Sequence, residues 1–292
     1  MSWTFEAIGP AYPDPLDGPV WDGDGLLFCR PAKNEILRWD PADGSVRVAR
    51  ANSVRTTGLA LAADGRLFGA QSRARRVVEY TRDGAAYYLN AMLDGRRHGD
   101  PHDLVVDRAG RVWFSDRHDA ETIPGPVGFP PPDHCSILRL ERDAEAWVVR
   151  RMTFDTLEPH GLAFSPDERT LYVADGCELP GVPRELRAYP VAGDGTLGPV
   201  RRLHTFAAEH RGPAGLAVDA AGTILVAAGS RRGGPGPLIY EFAPTGRVIG
   251  THAVPADDPT NCAFGGPDRG VLFVTTGAGQ LFAVRDTGLR GA

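Results

Sequence analysis

The chain has 292 residues, 42% hydrophobic and 24% charged, with a formal net charge of -5. That balance excludes disordered, collagen-like and disulfide-scaffold classes and leaves an ordinary folded protein with a sizeable core. Thirty-six glycines and 25 prolines, with no low-complexity tract, predict many short elements joined by tight turns and hence an all-β chain.

The basic clusters "SRARR" (72–76) and "SRRGG" (230–234) lack interleaved aromatics, so no nucleic-acid partner is expected. No run of 18 apolar residues and no basic-then-apolar leader occur, which predicts no membrane partner and a cytoplasmic location. Cys29, Cys135, Cys177 and Cys262 show no CxxC pairing and read as reduced thiols.

Along the chain one phrase returns six times: "GPVWDGDGLLFC" (18–29), "GLALAADGRLFGA" (58–70), "DLVVDRAGRVWFSD" (103–116), "GLAFSPDERTLYVAD" (161–175), "GLAVDAAGTILVAA" (215–228) and "CAFGGPDRGVLFVTT" (262–276). Each is an apolar run, a turn rich in Asp and Gly, and a second run with β-branched residues, the pattern of a β-hairpin. A third alternating run follows each copy, from "EILRWD" (35–40) to "LFAVRD" (281–286), and a weaker fourth often follows that.

Four strands per unit, repeated six times, predict a six-bladed β-propeller of antiparallel sheets forming a single domain over residues 1–292. "WTFEAI" (3–8) is expected to complete the last blade, as no blade buries its faces alone. Residues 116–134, rich in Pro and Gly, read as a loop insertion in the third unit.

Equivalent positions in the units form rings about the axis. The residues at the start of the innermost strands are read as Asp17, Thr57, His102, His160, Ala214 and Asn261. One carboxylate and two imidazoles in one ring, Asp17, His102 and His160, form a two-His-one-carboxylate set that holds a divalent cation and leaves positions open. Loops joining second and third strands reach the same face with Gln71 and Arg73, Asp116 and His118, Asp175, Cys177 and Glu178, and Ser230 with Arg231. Arg73, Arg231, Thr57 and Asn261 are the candidates for holding a small-molecule substrate. Asp116, Asp175 or His118 is the candidate general base.

The phrases "DGPVWDGDGLLF", "DPHDLVVDRAGRVWFSD" and "EPHGLAFSPDERTLYVAD" resemble those of the senescence marker protein, gluconolactonase and luciferin-regenerating enzyme family, over nearly the whole chain. The resemblance implies a six-bladed propeller, a divalent cation at the channel mouth, and hydrolysis of lactones or related esters. It places Asp17 at the family's Glu position, His102 and His160 at its two Asn positions, and Ala214 at its Asp position. Imidazole donors favour one Fe(II) or Zn ion over Ca or Mn. Other expectations from the same donors are a lyase, isomerase or non-haem iron oxygenase, or a non-catalytic propeller that has lost its metal.

Overall fold

The structure is a computed structural model that describes residues 3–90, 92–117, 132–133, 135–176 and 181–292. Six four-stranded antiparallel sheets follow one another along the chain. Blade 1 runs Asp17–Trp21, Leu26–Arg30, Glu35–Trp39 and Val46–Arg50, and blade 2 runs Thr56–Leu61, Leu67–Gln71, Arg76–Tyr80 and Ala86–Tyr88. Blade 3 has Asp100–Val106, Val112–Arg117, Ser136–Asp143 and Ala146–Arg151; blade 4 has Pro159–Phe164, Thr170–Asp175, Arg184–Pro190 and Arg201–Phe206. Blade 5 has Pro213–Val218, Ile224–Ser230, Gly233–Phe242 and Val248–Ala253.

Blade 6 contributes Pro259–Gly265, Val271–Thr276 and Leu281–Val284, and its fourth strand is Glu6–Ile8, paired as Glu6 with Ala283 and Ile8 with Leu281. The N-terminal segment thus closes the ring as its sequence predicts. Of the insertion at 116–134, residues 118–131 and 134 lie outside the described residues, as do His118, Cys177 and Glu178.

The core is not one mass but six layers, one between each pair of neighbouring blades. Phe68 and Ala70 of blade 2 meet Phe114 and Leu138 of blade 3, Leu26 and Phe28 of blade 1 meet Phe273 and Leu281 of blade 6, and the other four junctions are built alike. Alternation along each strand sends successive side chains into the layers on either side, so every sheet is apolar on both faces. Cys29 and Cys262 are buried free thiols. Among the described residues no helix is long and apolar enough to cross a membrane.

The innermost strands pack side by side around the axis, and their closeness dictates residue size. A Cβ on Gly161 would lie 2.6 Å from Ala214 O, and one on Gly18 would lie 2.3 Å from Thr57 O. Glycine is therefore required just below the mouth in most blades. Asp103 and Asn261 stand at that level in blades 3 and 6, and their side chains bond to each other, Asn261 Nδ2 donating to Asp103 Oδ2 at 3.2 Å.

Candidate functional site

Each innermost strand opens with an irregular pairing that leaves one residue out of register. In blade 4 the irregularity lies between Pro159 and Leu162, and in blade 6 between Pro259 and Asn261. Counting back from the regular pairs, Leu162 with Val173 and Cys262 with Val274, aligns Gly161 with Asn261 and His160 with Thr260. The mouth ring is therefore Asp17, Thr57, His102, His160, Ala214 and Thr260. Asn261 belongs one residue further in, a correction to the reading from sequence that follows from the bulge. Thr57 and Thr260 act alike: Thr57 Oγ1 donates to His102 O at 2.7 Å, and Thr260 Oγ1 donates to Leu16 O at 2.6 Å. Both hydroxyls lock one blade to the next, and Thr57 is thereby committed to the backbone rather than to a substrate.

Asp17, His102 and His160 stand at the same mouth. His102 Nε2 lies 3.8 Å from Asp17 Oδ2, and the His102 and His160 rings stand edge to face with centroids 5.0 Å apart. His160 also meets a cation, with Arg117 Nη1 3.1 Å from its Nε2 and 3.4 Å from its Nδ1. Arg117 is fixed in turn by Asp100, whose Oδ2 accepts from Nε at 3.1 Å. Among the described residues, no three His, Cys, Asp or Glu side chains are arranged around a common metal position.

Burial governs the electrostatics. It holds both imidazoles well below their usual range, with the charges of Arg117 and Arg211 adding to the effect, so both rings are neutral at physiological pH. Burial pushes the Asp17 carboxyl up to about 6 against the opposing pull of the Gly18 N–H and of Arg117 and Arg211. Asp103 is pushed up to about 7 by burial and then by the charge of Asp17. Asp103 and Asn261 also line the top of a 260 Å³ cavity that continues down the channel between Val20, Leu59, Leu162 and Leu216.

The carboxylates one strand further out have other partners. Asp175 accepts from the amides of Leu157 and Glu158 at 3.0 and 2.7 Å and pairs with Arg187 Nη2 at 3.1 Å. Every lone pair it can offer is drawn toward the blade, so it ties strands together rather than serving as a base. Asp116 accepts from Gly99 N at 2.9 Å, and burial pushes it up to about 8, leaving it protonated at neutral pH and unsuited to general-base work. Arg73 is exposed on a turn. Arg231 ties its turn to the loop between blades 5 and 6, its backbone N–H donating to Asp257 Oδ1 and its Nη2 to Pro255 O. Neither arginine contacts the ring among the described residues.

Three residues absent from the sequence reading take their place: Asp103, Arg117 and Arg211. Asp103 carried a visible signal, since "PHDL" at 101–104 departs from "PHGL" at 159–162 at a position where the sister blades have glycine. Arg211, on the loop entering blade 5, donates to Pro259 O at 2.9 Å and lies 3.7 Å from Asp258 Oδ1.

Fold and site together define a six-bladed propeller whose polar residues collect in a bowl at one mouth of the channel. The chain belongs to the SMP-30/Gluconolactonase/LRE-like family, whose region it matches over residues 16–278. It is 26% identical to a gluconolactonase of Zymomonas mobilis, over 92% of this chain and 78% of that one. It is 29% identical to a 6-deoxy-6-sulfogluconolactonase of Pseudomonas putida, over 88% and 81%. A solved gluconolactonase from Xanthomonas campestris superposes with a TM-score of 0.77 at 28% identity, covering 97% of this chain and 93% of that one.

Proposed function

We propose that this protein is a hydrolase that opens a lactone or related ester in the bowl at the channel mouth. The observation that carries the reading is the placement of two neutral imidazoles and a carboxylate at that mouth, in a chain whose curated relatives are named as lactonases along most of their length.

A divalent cation belongs to this reading. The donor chemistry fits one: a carboxylate ionised above about 6 and two unprotonated imidazoles, with His102 Nε2 and Asp17 Oδ2 3.8 Å apart. Two ligands at about 2.1 Å on a tetrahedral ion stand roughly 3.4 Å apart, so the pair needs only a small adjustment. Asp17, His102 and His160 would hold the ion, Fe(II) or Zn in preference to Ca or Mn because of the imidazoles. When bound, it supplies Lewis acidity toward a carbonyl oxygen.

The chain's own residues do the rest. Asp103 is the described carboxylate beside Asp17 that remains outside this donor set, and it serves as the proton acceptor. As water adds to the ester carbonyl, a C–O bond to water forms and the bond to the ring oxygen breaks. The proton released from water passes to Asp103 and then to the departing ring oxygen. Asn261 keeps the carboxylate oriented through its 3.2 Å bond.

Two measurements test the proposal. Protein purified without chelator should contain near-stoichiometric iron or zinc, and His160→Ala should lose it; a metal content unaffected by that substitution overturns the donor set. A panel of sugar lactones and aryl esters, assayed in air and anaerobically with Fe(II) added, should show turnover under both conditions. Turnover confined to air rejects hydrolysis in favour of an oxygenase.

A further inference from the structure

The mouth carries an unexplained pair of guanidinium groups. Arg117 ends the second strand of blade 3, and Arg211 leads into the first strand of blade 5, so in ring order the two flank blade 4 and its His160. Blade 1, with Asp17, lies across the axis from blade 4. Both side chains are largely buried, at 17% and 20% exposed, and burying a cation costs free energy unless partners compensate it.

Their described partners do not use the donors available. A guanidinium offers five N–H groups in a planar fork. For Arg117, Nε goes to Asp100 and Nη1 approaches His160; for Arg211, Nη1 goes to Pro259 O, with Asp258 no nearer than 3.7 Å. The Nη2 groups of both have no partner among the described residues. Beside Arg211, blade 5 presents only the methyl of Ala214 to the ring. The two charges bear on the same atoms, for both act on Asp17, His102 and His160.

We propose that Arg117 and Arg211 form a carboxylate-binding clamp on the blade 4 side of the bowl, so that the substrate is a lactone or ester that itself carries a carboxylate. The inference rests on the hydrolase reading and specifies its substrate class. A carboxylate accepts two parallel N–H bonds from a guanidinium fork, which fixes orientation as well as affinity. Held there, it sets the ester carbonyl toward Asp17, His102 and Asp103. Asp100 is the positioning residue, since its bond to Nε leaves the Nη edge of Arg117 for the substrate.

The test compares a sugar lactone bearing an exocyclic carboxylate with the same lactone bearing a hydroxymethyl group. Wild-type kcat/KM should favour the carboxylate by about tenfold or more, chiefly through KM, in keeping with a charge-assisted bidentate pair. Arg211→Gln and Arg117→Gln should each collapse that ratio, and Arg117→Lys, which keeps the charge without the fork, should give an intermediate one. Calorimetric binding of the open-chain dicarboxylate should weaken about tenfold in Arg211→Gln and should weaken in high salt. Equal or better turnover of the neutral lactone, or a ratio unmoved by either Gln variant, overturns the clamp and leaves the hydrolase standing. If neither lactone is turned over, hydrolysis fails, and the clamp is then judged by the dicarboxylate: no binding overturns it.

Discussion

Two sets of buried aspartates face each other across one strand's width, and they have opposite fates. Asp17 and Asp103, on the innermost strands, accept from the amides of Gly18 and Leu104 and from Asn261, and share their surroundings with neutral imidazoles rather than with a paired guanidinium. Asp175, one strand out, is saturated by two amides and Arg187, and Asp116 has taken up a proton. The same residue type is thus poised for chemistry where it faces the channel beside neutral imidazoles, and becomes a fastening where a guanidinium and loop amides hold it, as Asp175 is held, or where it is buried behind the strand, as Asp116 is.

The sharpest break between the two sets is expected from Asp103→Asn. The variant keeps the acceptor for Asn261 but cannot take a proton, so kcat should fall by about 10²- to 10⁴-fold while KM holds. Its melting temperature should change little, because the gain from replacing a buried carboxyl by a neutral amide is offset by losing the bond from Leu104 N–H to its other oxygen. Unchanged kcat would move the base elsewhere. Asp175→Ala should do the reverse. It removes the acceptor of the Leu157 and Glu158 amides while Arg187 keeps Glu185 at 2.9 Å, and denaturant titration should show a loss of about 1–3 kcal/mol, with kcat of the folded fraction within a few-fold of wild type. A large kcat defect with stability intact would return Asp175 to the catalytic group.

Asp116 sharpens the comparison through pH. Its folded value of about 8 lies above its ordinary value of 3.8, so the folded chain binds a proton that the unfolded chain releases. Its contribution is favourable in acid and is lost as pH climbs from about 4 through 8, beyond which the penalty is complete. Asp116→Asn removes that dependence while keeping an acceptor for Gly99 N. Melting curves should therefore show the variant gaining on wild type between pH 5 and pH 9. A difference that stays flat or narrows would show that Asp116 is ionised in the fold.

Much of this was legible in the sequence, because a repeat constrains itself. Six copies of one hairpin phrase define blade number, strand order and the face on which His102 and His160 meet. What escaped was out of period. Asn261 sits one residue inside the ring, since all six innermost strands carry the mouth irregularity and the pairing makes Thr260 the equivalent of His160. Arg117 and Arg211 come from loop ends whose directions the repeat does not encode. Asp116 and Asp175 were read as free acids because the amides of Gly99, Leu157 and Glu158 that engage them are far away in the chain, at |i−j| of 17 or 18.

The smallest effect tests whether the ring residues divide into fasteners and reactive groups. Thr260 Oγ1 donates to Leu16 O across the seam where blade 6 meets blade 1, as Thr57 does to His102 O between blades 2 and 3. Thr260→Val keeps the shape and removes two neutral hydrogen bonds, to Leu16 O and Thr275 Oγ1, so it should cost about 1–3 kcal/mol. Turnover and the preference for an anionic substrate should be unchanged, since no reacting group is touched. Should Thr260→Val instead alter KM with stability intact, the hydroxyl would be meeting substrate, and the ring would be one binding surface rather than a frame carrying three reactive positions.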